Sequence, residues 1–69
     1  MNKRTNLKKF RKSIGLTIED MAEKLGYTKS YYNNIELGKS TGSIEFWEHF
    51  QNTFGVDSYD MWDLLKREN

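Results

Sequence analysis

The feature that most constrains this chain is a break of two residues, Gly26 and Tyr27, between two segments with helical patterning. The first segment opens at Thr17, a good N-cap, with Asp20 three residues on in a variant of the capping box. Its apolar positions, Ile18, Met21, Ala22 and Leu25, recur at the spacing of one helix face. The second opens at Thr28, again a cap, and runs to about Leu37, with Tyr32 and Ile35 inward and Gly38 stopping it. A link that short cannot lay two helices antiparallel; it makes them cross steeply. Ala22 suits the close approach at the crossing, and Gly26 suits a turn that requires positive φ.

The rest of the chain reads as three more short helices. One runs from about Asn6 to Ser13, with Leu7, Phe10 and Ile14 on its apolar face. Another follows Ser43 and carries Ile44, Trp47, Phe50 and Phe54 before Gly55. The last starts near Asp57 or Ser58, with Met61, Leu64 and Leu65 on one stripe. The expectation is therefore an all-α domain of five short helices over residues 1–69. No proline, internal repeat or low-complexity stretch marks a linker.

With 69 residues and no cysteine, the core is thin and unsupported by disulfides, so packed helices and a rich aromatic supply must hold it. One histidine, His49, cannot build a metal cage alone. No glycine-rich phosphate loop and no H-E-x-x-H spacing is present, so neither catalysis nor a cofactor or metal is expected. No apolar run is long enough to span a membrane, and lack of cysteine is compatible with a reducing cytoplasm.

The net charge of +1 says little, but its distribution says more. Residues 1–39 hold nine basic residues against four acidic ones, and residues 40–69 hold two against six. Such a chain can turn one end toward phosphates and the other away. The alternative is that Lys3 to Lys12 is merely a solvated helix face.

With Tyr32 and Ile35 turned inward, Lys29, Ser30, Asn33 and Asn34 share the outer face of the third segment. Asparagine can pair with adenine through two hydrogen bonds. Lysine can donate to guanine or phosphate, and serine suits either. The alternative is an ordinary polar helix surface. Tyr31 either flanks the core, the favoured reading, or reaches a phosphate through its hydroxyl. The loop Lys39-Ser40-Thr41-Gly42-Ser43 is either an ordinary turn or a source of a cation, hydroxyls and free backbone N–H groups for a phosphate.

The run LKKFRKSIGLTIEDMAEKLGYTKSYYNNIELGKS, followed by IEFWEHFQNTFGVDSYDMWDLL, resembles the lambdoid phage Cro/C-repressor (Xre-like) helix-turn-helix family over about Leu7 to Lys66. The markers are the GLT opening, A-E-K-L-G at the turn, I-E-x-G-K closing the third helix and F-G-V-D before the last. The resemblance implies a lambda-repressor-like fold that binds a double-stranded DNA operator as a dimer. It further implies a cytoplasmic transcriptional regulator, a repressor, encoded by a bacterium or phage. By the same resemblance, the early positions of the third helix, Lys29 and Ser30, and Asn34 contact bases, and Asn33 shares their polar face. Placed on DNA in that way, Thr17, Thr28, Lys9, Lys12, Tyr31, Lys39 and Ser40 are the expected phosphate contacts. Arg11 and Glu36 match a family pair that docks the first helix to the third. Two positions depart from the pattern. Ile18 stands where many relatives carry a phosphate-contacting glutamine, so that contact is either lost or replaced by Thr17 or Lys12. Tyr32 stands where a smaller aliphatic residue is usual.

Assembly has to come from the second half of the chain if the first faces DNA. Trp62 falls beside the last apolar stripe, and Phe46 beside Trp47, so the two can form a small patch for a partner copy. Packing on their own chain is the alternative. A patch that small implies a monomer in free solution and pairing mainly on DNA. The rival to DNA binding is a protein-interaction module on the same fold, an antirepressor or an antitoxin-like partner.

Overall fold

In the computed structural model, which describes residues 2–68, five helices follow one another: α1 (Thr5–Ser13), α2 (Ile18–Leu25), α3 (Lys29–Glu36), α4 (Ile44–Phe54) and α5 (Ser58–Leu65). The helix starts are set locally. The side chains of Thr17, Thr28, Ser43 and Asp57 accept the otherwise orphaned N–H three residues on, from Asp20, Tyr31, Phe46 and Asp60. At Thr17 the bond is reciprocated, the Thr17 N–H donating to Asp20 Oδ2 at 3.2 Å, so the capping box is complete. This pairing also holds the Asp20 carboxyl below its ordinary pKa, chiefly through the Thr17 backbone N–H.

The turn between α2 and α3 is a Schellman closure. Tyr27 N–H donates to Ala22 O at 2.9 Å and Gly26 N–H to Glu23 O at 3.1 Å. Gly26 sits at φ +78° with open space around it, so the glycine is there for backbone conformation rather than for room.

Helix α2 packs on α3 and α4, while α5 packs on α1. The shared core is Leu7, Met21, Ala22, Leu25, Tyr32, Ile35, Phe46, Phe50, Met61 and Leu64. Phe10, Tyr27, Tyr31, Trp47 and Phe54 surround it as tilted, stacked and edge-on ring pairs. A strap, Asn2 to Arg4, precedes α1. Lys3 pairs with Glu68 as an isolated antiparallel bridge with bonds of 2.8 and 2.6 Å, which sets the two ends of the described chain side by side.

Four expectations about facing are corrected. Phe46, expected beside the core, is fully buried in it, and Trp47, expected within, lies on its flank. A phenyl ring has no polar atom and can be sealed off. The indole N–H needs a partner and finds it at the core edge, on Thr41 O at 2.9 Å. Ile44 is 78 % exposed, because a position two residues before Phe46 lies on the far side of the helix. Ile14 falls past the last turn of α1 and is also exposed.

Candidate nucleic-acid interface

Helix α3 is built from its inner face outward. Tyr32 and Ile35 are completely buried, which leaves Lys29 and Ser30 exposed and Asn33 and Asn34 half-buried on the other side. The backbone near these asparagines is tied down. Asn34 O accepts from both Lys39 N–H (2.9 Å) and Ser40 N–H (3.2 Å), and Asn33 O accepts from Leu37 N–H (2.9 Å). The four side chains expected to read bases thus rise from a helix held firmly beneath them.

The amino ends of α2 and α3 border one open depression of about 450 Å³, lined by Arg11, Thr17, Ile18, Glu19 and Lys29. Thr17 and Lys29 therefore come together, along with two helix N-termini where anions are favoured. Glu19 adds a negative charge to the same rim. Lys9 and Lys12 are exposed on α1 but do not line this depression. Of the two replacements considered for the family glutamine, Thr17 lies beside Ile18 there and Lys12 does not. The hydroxyl oxygens of Thr17 and Thr28 cap their helices, and each hydroxyl proton remains to be donated.

Tyr31 packs at the core edge, stacked on Tyr27 at 4.9 Å, with its hydroxyl accepting from Ser43 N–H at 3.3 Å. The loop after α3 is corrected in one respect. The N–H groups of Lys39, Ser40, Gly42 and Ser43 all have acceptors within the protein, so it does not offer a set of free backbone donors. Lys39 is exposed. Ser40 is half-buried, its hydroxyl oxygen accepting from Gly42 N–H and its carbonyl from Arg4.

Arg11 and Glu36 meet in a two-point pair, Nε to Oε2 at 2.7 Å and Nη2 to Oε1 at 3.1 Å, with both side chains nearly excluded from solvent. A third donor of Arg11 reaches Leu16 O at 2.8 Å. The hydrogen bond to Glu36 raises the Arg11 pKa above its ordinary value. The pair joins α1, the α1–α2 turn and the end of α3. Tyr32 is fully buried beside it. Its hydroxyl has no partner within hydrogen-bonding geometry among the described residues, and burial pushes its pKa upward.

One structural residue escaped the sequence reading. Arg4 is 4 % exposed and donates to three backbone carbonyls, those of Ile35, Ser40 and Leu65. Burial lowers its pKa, with Arg67 adding to the effect. Both arginines of residues 1–39 are thus internal, and the exposed cations of that half are all lysines: Lys3, Lys8, Lys9, Lys12, Lys24, Lys29 and Lys39.

Away from α3, Trp62 is 76 % exposed on α5. It borders a groove with Asp63, Leu65 and Lys66, and Leu65 also lines a second groove with Ile44, Trp47 and Met61. Phe46 takes no part in this patch, because it is sealed in the core. No group of metal-ligating side chains occurs among the described residues, and no described helix is long and apolar enough to cross a membrane.

Searches of curated proteins and of solved structures each returned no match. A family profile described as a helix-turn-helix domain, in contrast, matches residues 5–69, which takes in all five helices. The chain belongs to that helix-turn-helix domain family.

Proposed function

We propose that this protein is a sequence-specific DNA-binding transcriptional regulator of the Cro/C-repressor type, a repressor, which reads the major groove with α3. The observation that carries this reading is the division of α3. Its inner face is locked by Tyr32, Ile35 and the Arg11–Glu36 pair, while Lys29, Ser30, Asn33 and Asn34 stand together on the outer one. Helix-turn-helix proteins insert the second helix of the motif into the groove, its early residues toward base edges. In this assignment Thr17, Thr28 and Tyr31 donate hydroxyl protons to phosphates, and Lys9, Lys12, Lys39 and Ser40 add sequence-independent contacts.

A single α3 spans too few base pairs to single out one site, so two copies bind a two-fold operator. The domain is 27 Å across its longer axes, comparable to the ~34 Å of one DNA turn, so two adjacent copies can present α3 to successive grooves. Trp62 supplies the contact between them.

Selection of bound sequences from a random duplex library tests the reading and reveals the half-site. A log–log salt titration of the selected duplex is expected to have a clearly negative slope. The exposed Trp62 and Ile44, in an acidic second half, favour one other reading, a module that binds another protein. A chain that enriches no duplex and shows no salt-dependent binding would overturn the DNA reading in favour of that one.

A further inference from the structure

Arg4 joins four parts of the fold. Its guanidinium donates to Ile35 O in the last turn of α3 (2.6 Å), to Ser40 O in the loop that follows (2.8 Å) and to Leu65 O at the end of α5 (3.1 Å). Its carbon lies 5.4 Å from the ring centroid of Trp47 on α4. The Arg4 backbone N–H donates to Glu36 O at 2.9 Å. No carboxylate pairs with this buried cation among the described residues. Its charge is met by carbonyl oxygens at two helix C-termini, where partial negative charge collects.

The strap that carries Arg4 is seated closely. Gly38, at φ +78°, lies so near the Asn2 carbonyl that a Cβ there would collide with it. The same stretch, from Ile35 to Ser40, turns the chain out of α3 and presents Lys39. We propose that Arg4 is a positioning residue for DNA recognition: it fixes the end of α3 and the Lys39–Ser40 turn to α5, so that the helix meets the groove and the phosphates in one register. This inference rests on the DNA-binding reading above. The planar fork is what the role requires, since a lysine ammonium on a flexible stem keeps the charge but cannot reach three divergent carbonyls.

Three measurements test it. In the wild-type protein, the Arg4 Nε–H read by nitrogen-15 NMR is expected to exchange slowly; fast exchange overturns the clasp without any variant. In Arg4→Lys, the Lys39 and Ser40 amides, which donate to Asn34 O, should exchange at least about tenfold faster, with amides in the middle of α2 little changed. Unchanged exchange overturns the proposal. Finally, the ratio of affinities for a selected and a scrambled duplex should fall about tenfold in Arg4→Lys. It should hold in Phe54→Leu, a core-edge change away from Arg4 that serves as the destabilised control. Arg4→Gln takes the place of Arg4→Lys if the latter does not fold. An unchanged ratio, or an equal fall in the control, overturns the positioning role. A wild-type chain that binds neither duplex overturns the DNA reading and the recognition role with it, while the exchange data still judge the clasp by itself.

Discussion

Replacing Asn34 by alanine removes a two-point donor and acceptor from the outer face of α3 but spares the carbonyl that holds Lys39 and Ser40. Affinity for the preferred duplex should fall by roughly 1–3 kcal/mol, with little change on random DNA. Lys39→Ala should weaken all sequences alike and flatten the salt slope by about one. Comparable loss on random DNA for Asn34→Ala would remove it from the groove. Because no arginine is exposed in the first half of the chain, the bidentate arginine–guanine contact is not open to α3. Selected half-sites should therefore carry adenine opposite Asn33 or Asn34. Beneath this face, Arg11→Met or Glu36→Leu alone strands a buried charge and should cost about 3–5 kcal/mol. The double replacement should cost less than either, as denaturant melting of the cycle would reveal. Additive losses would mean that the two charges do not depend on each other. Tyr32→Phe deletes a buried hydroxyl that lies beside the Arg11–Glu36 pair without a well-formed hydrogen bond, so the melting midpoint should change little; a large fall would make the hydroxyl a third member of that pair.

At the scale of the helices, the Thr17–Asp20 box gives a prediction with a pH dependence. The Asp20 carboxyl has a lowered pKa in the folded protein, so its contribution is present above the ordinary carboxylate pKa. It disappears as pH falls through the folded value. Acid titration of stability should show a shallower acid limb in Asp20→Asn, and Thr17→Ala should cost about 0.5–2 kcal/mol at neutral pH. An unaltered acid limb would assign that stability to other carboxylates. These caps were legible in the sequence because a cap is a contact between residues three apart. So was the α2–α3 turn, where Gly26 and the two-residue gap leave few alternatives. The rotation of α4 was not. In Ile44-Glu45-Phe46-Trp47 two apolar stripes differ by one step, and only packing against Tyr27, Tyr31 and Tyr32 selects Phe46. Arg4 was illegible for a stronger reason: its acceptors are backbone carbonyls 31, 36 and 61 positions away, which any residue can supply. In the candidate interface, the outer face of α3 followed from helical geometry once Tyr32 and Ile35 were placed. The engaged N–H groups of the Lys39–Ser43 loop depended on its tertiary partners.

Across the whole molecule, the charge asymmetry leaves α4 and α5 as the acidic side, where Trp62 stands exposed. Trp62→Ala should leave the fold and single-half-site binding unchanged but reduce cooperativity on a duplex with two half-sites. Sedimentation with and without that duplex measures it, and unchanged cooperativity would take Trp62 out of the interface. The bridge between Lys3 and Glu68 has an architectural consequence. The backbone enters and leaves this unit at adjacent points, about one strand spacing apart. A unit with neighbouring entry and exit can be spliced into a surface loop of a larger protein without stretching its host. The bridging pair then serves as the stem of the insertion.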